Sequence, residues 1–399
     1  MGSAQQEDMG AKVSAQLAAM PLVGGTVRIP AGSYSFATTI KLSGGGQHLQ
    51  CDAGAELHYT GSGDAIVVEP RKGGPYVGID GEGGCKLLGN DTAQNGIRLL
   101  HGNTFVIRGM RIVGFKHGNG ISLDGANSVQ ILSNAIIGNQ HGIDMVTVPH
   151  FAPNAIHVAD NEIFNNDWAV YSHNGHAPAT RALGNVYRDN VFEGNHTGDL
   201  FLAWDAHTVV EGNYFESTGA AVAAGTGGDK VYDIQVVRNY FTVAGVPGYR
   251  SEIELGDVSG ALIEGNYEEG VGGAGTGCAV NVVPGRFGSA NNVRLRNAFS
   301  RVSEGKMSAH ELCFQGKPEI PPAVLGQNRL TGGLAVDGSV KLSGPLELEQ
   351  GAVGSTASAI KPGEACTTEG MLLISRPANQ TARLYFCSGF KWQPVAPPH

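Results

Sequence analysis

Asn190-Val191-Phe192, Asn213-Tyr214-Phe215 and Asn239-Tyr240-Phe241 state one phrase three times in close succession. The phrase is a small or charged residue, an Asn, one variable residue, then an aromatic or Ile. It returns at Asn134-Ala135-Ile136, Asn161-Glu162-Ile163-Phe164, Asn266-Tyr267 and Asn297-Ala298-Phe299, so successive Asn positions lie 27, 29, 23, 26, 27 and 31 residues apart. A period of this size signals a solenoid, in which each repeat buries its apolar face against its neighbours. The intervals hold short β-type runs such as Ser128-Val129-Gln130-Ile131-Leu132 and Asp233-Ile234-Gln235-Val236-Val237, set off by Gly, Asn and Asp, with no helix-length apolar pattern. The fold expected is all-β, a right-handed single-stranded parallel β-helix with one coil per period. Each Asn should sit at a turn, its amide bonded to the Asn above and below.

Composition fits such a coil. Gly supplies 60 of 399 residues for left-handed turn positions, and charged residues are only 16%. At 41% hydrophobic the chain can bury a large core. A formal net charge of -9 argues against nucleic acid as a partner, and no apolar run is long enough to suggest a membrane span. Met1-Gly2-Ser3 reads as an added start, and Ala4-Gln5-Gln6 could follow a removed secretion signal. A secreted or cell-surface protein is expected.

From residue 7 to 20, Met9, Val13, Leu17 and Met20 share one helical face. A solenoid needs its open edge covered, so residues 1–23 are read as an N-terminal cap. Coils then occupy 24–315, about eleven of them at this repeat length. Pro318, Pro321 and Pro322 mark a boundary. Residues 316–355 hold a linker with short strands at 333–342 and 345–348, and 356–399 form a small module around Cys366 and Cys387. The six Cys fall into sequence-near pairs, Cys51 with Cys85, Cys278 with Cys313 and Cys366 with Cys387. Disulfides and plain core filling are both open for the first two pairs, and a disulfide is expected for the third.

The opening helix with Gly24-Gly25-Thr26-Val27-Arg28-Ile29-Pro30-Ala31-Gly32-Ser33-Tyr34 and Thr39-Ile40-Lys41-Leu42, followed by the repeats, resembles the pectate-lyase-like superfamily of right-handed β-helix proteins over about three quarters of the chain. That resemblance implies a carbohydrate-active enzyme: polysaccharide lyase, polygalacturonase-type hydrolase, uronan epimerase or tailspike depolymerase. The C-terminal stretch around Cys366, Cys387 and Trp392 looks like small disulfide-closed domains of pilus-tip or fibre proteins. Some motifs of the superfamily are missing. The Asn-Thr-Asp and Asp-Asp signature of polygalacturonase-type enzymes is replaced by Ser122-Leu123-Asp124 and His141-Gly142, and the calcium-binding Asp clusters of pectate lyases are not evident. His141-Gly142-Ile143-Asp144 is faintly similar to the Tyr-Gly-x-Asp-Pro-His motif of mannuronan epimerases, with Pro149-His150 displaced.

Outward positions of stacked strands are about 4.8 Å apart, which suits an extended glycan. Aligning the strands by inward pairs (Ile121/Leu123, Ile143/Met145, Val170/Ser172, Leu200/Leu202, Val222/Ala224, Ile253/Leu255 and Val280/Val282) leaves one outward row. It reads Ser122, Asp144, Tyr171, Phe201, Ala223, Glu254 and Asn281, and a neighbouring row begins Asp124, Val146, His173. Seven of the 13 His lie between His141 and His207 (His141, His150, His157, His173, His176, His196 and His207). The catalytic candidates are therefore Asp144, Tyr171, His173, His141 and Asp124. Arg181, Arg188, Trp204, Asp205, His207 and Glu254 are candidates for holding substrate. A metal site is not expected, since His173-Asn174-Gly175-His176 lacks helical ligand spacing; no cofactor is called for, with Ca2+ left open.

Three reactions compete. In β-elimination from a uronate, Tyr171 and His173 would move protons, oriented by His141 or Asp144, while Arg181 or Arg188 neutralises the carboxylate. In hydrolysis, Asp124 and Asp144 would act as a pair, retaining at about 5 Å or inverting at about 6.5–9.5 Å. Epimerisation is the third. The leading expectation is a polysaccharide lyase acting on an acidic polysaccharide, as monomer or homotrimer; a non-catalytic glycan-binding or fibre protein is the alternative.

Overall fold

The computed structural model describes residues 8–21, 23–69, 77–175, 181–217, 219–244, 251–271, 278–286, 290–301, 310–314, 329–330, 372–375, 383–388 and 391–394. It divides into Met1–Lys341 and Leu342–His399. The first unit is the expected parallel β-helix. One of its sheets stacks eleven parallel strands, one from each coil. A second, 21-stranded sheet collects the remaining two sides of the coils. Every pairing between the described strands of these two sheets is parallel, from Gly25–Ile29 on Gln47–Cys51 to Cys278–Val282 on His310–Phe314. The second unit contains a three-stranded antiparallel sheet, Leu372–Ser375, Arg383–Ser388 and Lys391–Pro394. Cys366 and the strands expected at 333–342 and 345–348 lie outside the described residues.

The N-terminal helix runs Met9–Ala18, capped by Asp8, whose side chain accepts the Ala11 N–H, and it buries Met9, Val13 and Leu17. It covers the first coil, and Gln47 Nε2 donates to the Leu17 carbonyl at 2.6 Å. Cys51 and Cys85 are joined on adjacent coils with Cα atoms 5.7 Å apart. Cys278 is also disulfide-bonded; the side chains of Cys313 and Cys387 lie outside the described residues.

The asparagine phrase builds a buried ladder. Asn161 shows the pattern: its N–H and Nδ2 both donate to Asn190 Oδ1 (3.1 and 3.0 Å), its Nδ2 also donates to the Ile131 carbonyl (2.8 Å), and its own Oδ1 accepts the N–H and Nδ2 of Asn134. The same bonds run on through Asn213, Asn239 and Asn266. The residue just before each rung is left-handed: Ser133, Asp160, Asp189, Gly212, Arg238 and Gly265 have φ between 53° and 68°. This kink turns the chain through a corner, and it accounts for the small or short polar residue so often found there.

A second ladder, not apparent from the repeat phrase alone, joins Asn139, Asn166 and Asn195 at another corner. It ends on a carboxylate. Asn195 Nδ2 and Ser217 Oγ both donate to Asp199 Oδ1 (2.8 and 2.6 Å), while Asp199 Oδ2 is buried without a hydrogen-bonding partner. Burial pushes the Asp199 carboxyl up to about 7 despite those two bonds.

Replacing Asn190 with Ala removes the acceptor for two donors of Asn161 and should cost about 3 kcal/mol in chemical denaturation. Asp199 should behave in the opposite way. Its folded pKa lies well above that of an ordinary carboxylate, so its ionisation destabilises the fold increasingly as pH rises from about 4 and fully above about 7. Asp199→Asn should therefore gain on the order of a few kcal/mol at pH 8 and almost nothing near pH 4. An equal effect at both pH values would refute this assignment.

Candidate active site

The rows expected on the eleven-stranded sheet are in register as read. Ser122 pairs with Asp144, Asp144 with Tyr171, Tyr171 with Phe201, Phe201 with Ala223, Ala223 with Glu254 and Glu254 with Asn281. Asp124, Val146 and His173 form the neighbouring row. A third row runs Asp64, Asn95, Asn119, His141, Trp168. Ile143, Met145 and Val170 beneath are fully buried, so the alternation of the strand alone turns Asp144, Tyr171 and His173 outward.

These rows meet at Asp144, whose side chain is only 12% exposed. His173 Nε2 lies 3.2 Å and His141 Nδ1 3.7 Å from the same oxygen, Asp144 Oδ1. Asp144 Oδ1 and His141 Nδ1 are buried with no partner of hydrogen-bond geometry. Asp144 Oδ2 is met by Asn119 Nδ2 at 3.3 Å, which also donates to Asn95 Oδ1, which is followed by Asp64. Burial alone would raise the Asp144 carboxyl, but the neighbouring imidazoles outweigh it and hold it below the usual carboxylate range.

Tyr171 packs between two rings, His141 (centroids 4.5 Å) and Phe201 (4.6 Å), both stacked, and tilts against His173 at 5.0 Å. Partial burial and the charge of Asp144 push its phenol above the ordinary value. Trp168 tilts against Phe201 at 5.3 Å, and a Cβ on Gly198 would come within 2.5 Å of its ring. The indole thus lies across Gly198 on the ledge. The cluster offers an ionised carboxylate, two imidazoles and a protonated phenol on one partly exposed surface.

Other expected residues are elsewhere. Asp124 is held by Arg98, with Nη2 2.5 Å and Nε 2.9 Å from Oδ2, and by Ser122 Oγ at 2.9 Å. Arg188 is paired with Glu211 on the other sheet. His207 and His196 are exposed and face Asp233 and Asp167, His157 is on the other sheet, and His150 occupies a left-handed turn. The group of seven histidines therefore reduces to His141 and His173 at the site, with His176 outside the described residues. Arg181 is sandwiched between the rings of Trp204 (4.5 Å) and Tyr232 (4.1 Å). Glu254 is four coils from Asp144, about 19 Å along the stack.

Asp205 requires a correction. It is fully buried and hydrogen-bonded inside the coil, because Trp204 at φ 64° reverses the alternation just before it. It cannot touch substrate on the ledge. Sequence reasoning passed over Arg98 and Asn119, which precede the asparagine phrase; the inward pair Ile97/Leu99 was the signal that would have placed them.

The profile of the family described as "Periplasmic copper-binding protein (NosD)" matches residues 58–267, more than half of the chain. The chain belongs to the NosD family. No curated protein matches it. Among solved structures it is similar to DFA-IIIase from Arthrobacter chlorophenolicus A6 in complex with GF2, at 14% identity and TM-score 0.51, over 78% of this chain and 89% of that chain. The same enzyme without its lid, in complex with GF2, gives 13% identity and TM-score 0.53 over 82% and 95%. These likenesses support the parallel β-helix fold of the NosD-family chain. No helix among its described residues is long and apolar enough to cross a membrane.

Because Tyr171 is a filler of the stack as well as a phenol, its two roles separate by substitution. Tyr171→Ala should lower stability by about 2 kcal/mol, whereas Tyr171→Phe should leave the melting temperature nearly unchanged. Equal losses would mean that the hydroxyl, not the ring, holds the cluster.

Proposed function

We propose that this NosD-family chain is an enzyme that acts on a glycan along the ledge, transferring protons with the cluster centred on Asp144. The observation that carries the reading is one ionised, largely buried carboxylate between two imidazoles, beside a phenol kept protonated. A carboxylate orients an imidazole and leaves its far nitrogen free to accept a proton. Tyr171, with its raised pKa, suits proton donation and not the role of base.

β-Elimination from an acidic polysaccharide uses these parts best. His173 would take the C5 proton of a uronate, the C4–O bond would break as the C4=C5 double bond forms, and Tyr171 would give its proton to the departing oxygen. The proton on His173 then returns to Tyr171 through solvent. Arg98, 36% exposed on the same ledge, is the guanidinium that substrate carboxylates would meet. Two-carboxylate hydrolysis is less well supported, since Asp124 is engaged by Arg98 and Ser122.

The family description names copper. Among the described residues no group of three or more His, Cys, Asp and Glu could hold a metal ion. The described residues do not fit copper, and no step is assigned to it. A location outside the cytoplasm is supported by the Cys51–Cys85 disulfide and by the periplasmic description of the family.

The test is incubation with a panel of uronic-acid and neutral polysaccharides, following ultraviolet absorbance of unsaturated product beside new reducing ends. Absorbance is expected with at least one acidic glycan, and His173→Ala, Tyr171→Phe and Asp144→Asn should each lower the rate roughly 100-fold or more. Reducing ends without absorbance would mean hydrolysis. Neither signal would mean a glycan-binding protein, and full rates in the three variants would remove the cluster from the reaction.

A further inference from the structure

The interior beneath the ledge contains one departure from its own pattern. The second inward position of successive coils carries Leu99, Leu123, Met145, Ser172, Leu202, Ala224 and Leu255 in register, all buried. Ser172 puts a hydroxyl into this apolar row, directly between Tyr171 and His173 in the chain. Its Oγ donates to Asp205 Oδ2 at 2.7 Å. Asp205 is fully buried, and its Oδ1 accepts from Asn185 Nδ2 at 3.3 Å. Asn185 in turn accepts the Ile156 N–H at 3.0 Å and donates to the Pro153 carbonyl at 3.3 Å. The ledge strand is thereby tied, from inside, to corners of its own coil and of the next one.

Burying a carboxylate costs several kcal/mol unless its partners compensate, and a Leu at 172 would have continued the row at no such cost. Stability of the stack therefore does not explain the pair. Its position does. His173 has to stay 3.2 Å from Asp144 on the previous coil, while Tyr171 stays stacked between His141 and Phe201. An internal bond at the residue between them limits rotation and sliding of both side chains together. We infer that Asp205, acting through Ser172, is a positioning residue that holds Tyr171 and His173 in their working geometry. This rests on the reaction proposed above.

The experiment compares Ser172→Leu, Ser172→Ala, Ser172→Thr and Asp205→Asn with the unsubstituted chain, measuring melting, kcat and KM on whichever glycan the panel identifies. Ser172→Leu and Ser172→Ala, which leave the buried Asp205 carboxylate one donor short, should lower the melting temperature modestly, yet in protein still fully folded at the assay temperature they should lower kcat about 10- to 100-fold, with KM changed by no more than about twofold. Ser172→Thr, which keeps the hydroxyl, should recover most of the rate; Asp205→Asn, which keeps an acceptor, should fall between. Unchanged kcat in folded Ser172→Leu and Ser172→Ala would overturn the inference and leave the proposed reaction standing. A fall in melting temperature that accounts for the lost rate in all four variants would reduce the pair to a structural role. An unsubstituted chain that turns over no glycan would remove the reaction and this role with it.

Discussion

A primary amide that accepts donors from one coil and gives them to the next, at the same corner of successive coils from Asn134 to Asn266, is the constraint on which this solenoid depends. Parallel strands alone do not fix how one coil sits on the next, because a slip of one residue keeps the ladder hydrogen bonds while turning every side chain over. The rungs from Asn134 to Asn266 close that freedom: each binds both the backbone N–H and the amide of its neighbour, so a slipped coil would leave several buried polar groups unpaired. The left-handed residue before each rung fixes the corner in space. With the corners locked, outward positions of the eleven-stranded sheet fall into straight rows. Asp144, Tyr171 and His173, drawn from two coils, become neighbours for this reason alone.

Three aspartates on neighbouring coils show how much the surroundings of one residue type decide. Asp144 lies at the edge of solvent between two imidazoles and is held ionised. Asp199 and Asp205 are fully buried with neutral hydrogen-bonding partners, and burial raises them to about 7 and about 6. Hydrogen bonds from Ser, Asn and other neutral groups do not replace lost hydration of a charge, whereas two titratable rings that can share a proton do. The carboxylate suited to acid–base work is the one whose partners can themselves change charge.

The fold and the rows were legible because they rest on two periodicities that survive in the chain: the asparagine repeat and strict inward alternation such as Ile143/Met145 and Val170/Ser172. The second ladder was less legible, since Asn139 and Asn195 are followed two residues on by His141 and Thr197, and only Asn166, before Trp168, keeps the aromatic that marks the first. The histidines misled for a physical reason. His150, His196 and His207 lie at or beside corners, where a single left-handed residue or a turn sends the side chain away from the sheet, and linear spacing does not report that. Asp205 was chosen as a neighbour of Trp204, but the left-handed corner at Trp204 carries the chain off the ledge strand, and Asp205 follows it buried on the other sheet. Arg98 stayed hidden because its coil comes before the repeat phrase begins, and Asn119 because it stands ahead of the inward pair Ile121/Leu123 from which the outward rows were counted.

The same geometry bears on how a family described by copper can present a ledge suited to proton transfer. Rows on a β-helix are independent columns, and changing one residue alters one site on the surface without disturbing the ladder behind it. A metal centre would require donors to converge on an empty point, while acid–base chemistry requires them to converge on one another. Here His141 and His173 both face Asp144 Oδ1, and the Asn119–Asn95–Asp64 chain supports the other oxygen. His141, His173 and Asn119 thus surround the Asp144 carboxylate, and the two imidazoles help to hold it ionised.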